Sequence, residues 1–410
     1  MKKLLALVLA LALCLMATGA LADIVIFQNK VEINAAMQDY AKQYTEKTGV
    51  PVTVSTNGGG VQYPAALMAE MASDRQPDIF VIEGPSDYEL WKDRIADMTG
   101  ADWTEFCTSP YVVDGKTIGF PVAQEGYGLA YNADILAKAD IDPKTLTNVD
   151  ALKAAFEKLD SMKAELGLDM VISMVAGTVP GMTWVTGLHN FNVYLASGLQ
   201  RGDDTIIDKV LAGEVDEARF HDYCQYVALL FQYSDPEMLI NGTQDSQCAA
   251  FANGKAAFYH QGNWMDPSLI VLNPTFEIGY VPHAFLHEDT DGILVNAASW
   301  YVVNENGNKD EAIAYLNALC GTDEGKDYMM NKAGMYPAFS NIEFVASTPL
   351  TKAVVEWVTA GKTYGWQQYK LPAGFGMNTL GPIYELLASG AIDVDTFELL
   401  MKNEIAGIAK

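Results

Sequence analysis

The first sixty residues after position 23 alternate between two kinds of hydrophobic run. Ile24-Val25-Ile26-Phe27 is an unbroken apolar stretch of strand length. Ile33, Ala36, Met37, Tyr40 and Tyr44 then recur at helical spacing, and Gly49 stands where such a helix would stop. Val50–Val54 reads as the next strand, residues 61–73 as a second helix and Asp78–Ile82 as a third strand. Strand, helix and strand within about thirty residues make a βαβ unit with parallel strands. In open sheets of that kind ligands gather beyond the carboxyl ends of the strands. The loops Gln28–Lys30, Asn57–Gly60 and Glu83–Asp87 therefore form the candidate binding edge.

Further along, the pattern predicts helices over 134–140, 149–166, 216–232, 244–252 and 310–319. Strands are predicted over 255–259, 276–281 and 294–303. No repeat and no linker rich in Pro, Gly or Ser divides the 410 residues. A chain of this length normally builds two lobes, and without a linker the backbone is expected to pass between them more than once.

Charge narrows the partners. The chain carries 52 acidic against 26 basic side chains, a formal net charge of −26. That balance argues against nucleic acid and against an anionic membrane surface. Residues 1–22 have the layout of a secretory signal peptide: Lys2 and Lys3, the apolar run Leu4–Leu15, and the cleavage site Ala20-Leu21-Ala22. Cleavage before Asp23 removes two lysines and no acid, leaving −28. Cys14 follows Leu13, where a lipid-attachment signal wants a small residue, so a free exported protein is expected rather than a lipoprotein. Cys107, Cys224, Cys248 and Cys320 then remain, without metal spacing. An exported compartment permits disulfides, but free thiols and three full pairings are equally open.

The sequence holds no G-x-S-x-G, H-E-x-x-H or P-loop pattern. His283 and His287 are four apart, a spacing that suits zinc on a helix. They follow Pro282 in a segment ending Asp289-Thr290-Asp291-Gly292, which reads as a surface loop, so neither metal nor cofactor is expected. Gly58-Gly59-Gly60 reads as a flexible loop. Carboxylates are numerous but nothing pairs two of them for glycoside hydrolysis. Trp184, Trp264, Trp300 and Trp366 carry more weight, because indole faces stack on the apolar faces of sugar rings or on cations.

Four stretches together resemble bacterial extracellular solute-binding proteins of ABC importers. They are Gln76-Pro77-Asp78-Ile79-Phe80; Asp114-Gly115-Lys116 with Gly119-Phe120-Pro121, Tyr131-Asn132 and Asp134; Phe251 and Gly254–Phe258 followed by Gly262 and Trp264; and Lys309–Leu319 with Thr322–Gly325, Gly334 and Pro337. They occur in the family's order and are most similar to its carbohydrate receptors of the maltose-binding-protein type. The chain departs from that pattern in two places. Pro143–Val149 lacks the family's Trp, and Ile82-Glu83 replaces its Trp-bearing loop, so the resemblance carries the carbohydrate class and not maltose itself.

The resemblance implies an α/β protein of two lobes that close on ligand, a monomer that binds without catalysis and hands its ligand to a membrane permease. Crossings are expected near 123–127, 280–283 and 332–337, giving lobe one 23–124 with 283–333 and lobe two 125–282 with 334–410. Asn29, Glu83, Glu125 and Asn263 are expected to hydrogen-bond the sugar and Trp264 to stack on it. Gly262 is expected to let the ligand approach the backbone. Trp184, Trp300, Trp366 and Asn378 are further candidates by residue type. A polyamine receptor of the same fold and a secreted glycoside hydrolase are the alternatives.

Overall fold

In the computed structural model, which describes residues 23–58 and 63–409, thirteen strands form three sheets. The leader, Cys14 and Gly59-Gly60 lie outside the described residues. In the first sheet β1 (Ile24–Gln28) lies between β2 (Val52–Thr56) and β3 (Ile79–Ile82), both parallel to it. The helix Asn34–Thr48 crosses over between the first two and buries Met37, Tyr40, Ala41 and Tyr44. β12 (Trp300–Val303) pairs antiparallel with β3, and β5 (Lys116–Pro121) and β4 (Tyr111–Val113) complete the order β2-β1-β3-β12-β5-β4. β3 and β12 are buried along their whole length, which accounts for their unbroken apolar runs.

The second sheet, β10-β7-β9-β8, joins Ile278–Val281, Leu129–Asn132, Ala256–Tyr259 and Met170–Ser173. The helices Glu217–Gln232, Pro349–Thr359, Gly381–Ala388 and Val394–Ile405 contribute their apolar faces to the core around it. Between the two cores lies a small third sheet in which β6 (Gln124–Tyr127) and β11 (Ile293–Ala297) run antiparallel, Gly126 opposite Val295, with β13 (Thr363–Tyr364) at its edge.

The first exchange of the chain between cores lies at β6. The other two occur later than the 280–283 and 332–337 that the family resemblance implies. Ala284, Phe285 and Ile293–Val295 belong to the second core, and the chain returns through β11. Phe285 is held there by edge-on contact with the Tyr223 ring and by the Arg219 guanidinium 4.7 Å above it. Ala333, Met335, Phe339 and Ile342 belong to the first core, so the last exchange falls between Ile342 and Leu350. The single strand expected over 294–303 is accordingly two, β11 and β12, in different sheets, with Ala298-Ser299 as the break.

A candidate ligand-binding cleft

The carboxyl ends of β1, β2 and β3 open onto a cavity of about 150 Å³ between the lobes. Asn29 and Lys30 follow β1, Gly58 follows β2, Glu83 follows β3, and Asp87 stands in the first turn of the helix Pro85–Trp91. Ser299 precedes β12, and Glu125 enters from β6. The facing wall comes from Trp184, Leu188 and His189, from Trp264 just beyond β9, and from Tyr369 and Met377.

The first wall is charged and short of water. Lys30 forms an ion pair with Glu125 and lies 3.6 Å from Glu32. Burial opposes the charge on Lys30, but these carboxylates outweigh it and hold its pKa above the ordinary value. Burial raises Glu32, and Lys30 partly offsets that. Glu83 accepts a 2.9 Å hydrogen bond from the Asn29 amide, and its backbone N–H donates to Asp87 Oδ2 at 2.9 Å. Burial, reinforced by the Asp87 charge, pushes the Glu83 carboxyl up to about 8. Burial raises Asp87 too. Asn29 Oδ1 and Ser299 Oγ are buried without a hydrogen-bond partner among the described residues. Such atoms cost free energy until a donor or acceptor reaches them.

The second wall is aromatic and uncharged. Val185–Asn190 forms a π-helical turn whose backbone touches a second such turn, Phe375–Leu380; a Cβ on Gly187 would collide with the Gly376 carbonyl. This wide turn presents His189, whose ring lies 4.7 Å from Trp264 at 35° and 5.4 Å edge-on from Trp184. The Trp264 indole N–H donates to Gln261 Oε1 at 2.8 Å, and Tyr127 and Trp366 hold it from behind. Deeper still, His283 Nδ1 meets the Tyr226 hydroxyl at 2.8 Å and His283 Nε2 meets His260 Nδ1 at 3.0 Å. Burial lowers all three histidines, His260 to about 4, so they stay neutral near pH 7.

A second cavity, of about 340 Å³, continues outward past Glu83, Asp87, Leu188, Tyr369 and Met377. Its floor is where the lobes touch: the Ser86 hydroxyl donates to the Leu371 carbonyl.

The expected site residues separate on this geometry. Asn29, Glu83, Glu125, Trp264 and Trp184 line the inner cavity, and Asn378 lines the outer one. Asn263 lies at neither. Its Oδ1 accepts from the Gly126 N–H at 2.8 Å and its amide donates to Thr351 Oγ1 at 3.2 Å, so it ties the crossing strand to the helix Pro349–Thr359. Trp300 packs on Tyr111 and donates to the Ser109 carbonyl inside the first core, away from both cavities. Trp366 sits behind Trp264. Gly262 serves the indole rather than a ligand, since a Cβ there would fall on the Trp264 ring. Gly58 is equally confined, by the Asn29 carbonyl. His283 is buried rather than on a surface loop, while His287 is exposed and pairs with Asp150. The four described cysteines are free thiols. Lys30 and Asp87 lie in loops the strand pattern marks, but nothing in the sequence singles out Glu32, His189 or Tyr369.

The model for bacterial extracellular solute-binding proteins matches residues 39–355. The chain belongs to this family. The melibiose/raffinose/stachyose-binding protein MelE of Bacillus subtilis is 24% identical over 268 residues, a match that spans 61% of this chain and 58% of that relative's length. Among solved structures, the binding protein RafE in complex with raffinose aligns with a TM-score of 0.77 at 14% identity, covering 95% of this chain and all of RafE. A sugar transporter protein from Bacillus licheniformis in complex with stachyose aligns with a TM-score of 0.74 at 17% identity, covering 94% of this chain and all of that one. The two-lobed α/β architecture is that of these solute-binding proteins. The family is one of extracellular binding proteins, and no helix among the described residues is long and apolar enough to cross a membrane.

Proposed function

We propose that this solute-binding protein captures an oligosaccharide between its lobes and delivers it to the membrane permease of an ABC importer. The observation that carries the reading is the pairing of unlike walls around one cavity. Trp264 and Trp184 offer aromatic faces opposite Asn29, Glu83 and Glu125, which offer hydrogen-bond acceptors. A sugar ring has the matching anisotropy, with apolar C–H faces and a rim of hydroxyl donors. The unpartnered Asn29 Oδ1 and Ser299 Oγ add acceptors that ligand hydroxyls would satisfy. The names of similar proteins point the same way: MelE is a melibiose/raffinose/stachyose-binding protein, and RafE was solved with raffinose.

In this reading ligand favours the closed arrangement because only there do both walls reach it, and the permease recognises that state. The division of the chain follows the cores: 23–123 with 299–342 as one lobe, 128–292 with 350–409 as the other, and 124–127, 293–298 and 343–349 as the connections. Export would end with cleavage before Asp23, without lipid. A thermal-shift screen of the mature protein against melibiose, raffinose, stachyose, chito-oligosaccharides and spermidine tests the reading, because a ligand of the native state raises the melting temperature by mass action. Stabilisation by at least one oligosaccharide is expected. Stabilisation by spermidine alone, or hydrolysis of the sugars during incubation, would overturn it.

A further inference from the structure

A buried chain of hydrogen bonds behind the cleft carries an inference that rests on the proposed function. The aromatic wall is assembled from two separate stretches of sequence. Trp184 and the wide turn Val185–Asn190 supply one half, and the segment from Tyr259 to Trp264 supplies the other. Their rings meet at the cavity, Trp264 lying 4.7 Å from His189 and 6.3 Å from Trp184. Apolar contact of this kind has little directional preference, so it does not by itself fix how the halves register. A hydrogen bond does, because it weakens steeply when misaligned.

His260 supplies that bond. Its Nε2 lies 3.4 Å from the Val185 carbonyl, where the turn begins, and its Nδ1 lies 3.0 Å from His283 Nε2. A carbonyl only accepts, so His260 Nε2 carries the proton. A neutral ring has one such proton, which leaves Nδ1 bare and requires His283 to donate from Nε2. His283 Nδ1 is then bare in turn and accepts from the Tyr226 hydroxyl at 2.8 Å. One backbone carbonyl thus sets every proton along the chain. Burial keeps both rings neutral, and each is only 1% exposed, so water is poorly placed to replace either bond. The next residue, Gln261, accepts from the Trp264 indole at 2.8 Å. Two consecutive side chains therefore hold the two halves of the wall, His260 the turn and Gln261 the indole.

We infer that His260 is a positioning residue for ligand binding, its Nε2–H holding the turn that bears Trp184 and His189 in register with Trp264. His260 lines neither cavity, so it acts through the wall and not on the ligand. A sugar that rests on both halves at once loses affinity when their register slips, although every contact residue is still present.

Nitrogen NMR of the mature protein with labelled histidine tests the chain directly. His260 and His283 are both expected as neutral rings protonated at Nε2, and a His260 protonated at Nδ1 overturns the assignment while the cleft reading stands. Two substitutions then separate the bonds. His260→Gln places an amide N–H near the Nε2 position and keeps the donor to Val185. His260→Asn places its amide near the Nδ1 position, so it keeps an acceptor for His283 and loses that donor. Both are titrated calorimetrically with raffinose, stachyose and the β-1,4-linked trimer of N-acetylglucosamine. With a sugar that binds, His260→Gln is expected to stay within threefold of the unaltered protein, and His260→Asn to bind at least tenfold more weakly. Equal losses in the two variants, or a loss in neither, would make His260 a packing residue and leave the cleft reading intact. Should neither variant fold, the unaltered protein decides: saturating sugar is expected to shift the His260 Nε2 resonance, and an unmoved resonance overturns the role. Binding of none of the three sugars overturns both readings.

Discussion

The two walls of the cleft are built from different materials. On the first, regular parallel strands end abruptly and their loops deliver Asn29, Lys30, Glu83 and Asp87, polar groups held where water is scarce. On the second, the irregular segment 184–190 and the short turn Asn263–Met265 deliver rings that rest on further rings and on neutral histidines. A charge in a dry site is sensitive to its immediate partners, whereas a stacked ring draws on a whole cluster. Changes on the two walls are therefore expected to fail in different ways.

The largest effect is expected from Trp264→Ala. The indole is 8% exposed, rests on Tyr127, His189 and Trp366, and still lines the cavity. Its removal should cost about 3–5 kcal/mol of folding stability and weaken sugar binding at least tenfold, or ~1.4 kcal/mol. Denaturant melts and calorimetric titration of the same variant measure both, and a loss confined to either one would show that the wall is only core or only contact surface. Lys30→Met comes next. It strips Glu125 and Glu32 of their shared cation, and breaking such a buried pair should cost about 3 kcal/mol. Raised salt should not reproduce that loss, because buried pairs are weakly screened.

Glu83→Gln is expected to act through pH. The Glu83 carboxyl titrates near 8 in the folded protein against about 4.5 when free, so its protonated form stabilises the fold. That contribution is complete below about pH 4.5 and is lost as pH rises through 8. The melting temperature of the ligand-free protein should fall over this window, and the variant should fall less; identical slopes would remove Glu83 from the account. The smallest effect belongs to Trp300→Phe, which should leave sugar affinity unchanged and cost about 1 kcal/mol through the lost hydrogen bond to the Ser109 carbonyl.

Trp264 and Trp300 also mark how far the sequence could be read. Both are 8% exposed, Trp264 just after one predicted strand and Trp300 within another, yet one lines the cleft and the other packs inside the first lobe. What separates them is the long-range pairing of β12 with β3 and β5, which local composition does not encode. The first wall was legible because a βαβ unit places its strand ends by rule, and Asn29 and Glu83 stand at two of those ends. The second wall was legible only in its indoles, Trp264 through the resemblance and Trp184 by residue type. A π-helical turn leaves no hydrophobic period, so His189 gave no signal. The later crossings differ for a related reason: Phe285 stands in a segment that reads as a surface loop, nothing in the pattern marks Ile342, and only tertiary packing assigns each to its core.

The wide turn Val185–Asn190 holds one residue more than an α-helical turn of the same rise would. Deleting a single residue there would restore α-helical winding and rotate whatever precedes it by about 100° relative to the helix Phe191–Ala196. Trp184 would then leave the cavity while the buried helix kept its register. The aromatic face that this lobe turns toward the cleft thus depends on the length of one turn, which the close packing of Gly187 on Gly376 and the burial of Met182 and Val185 hold in place.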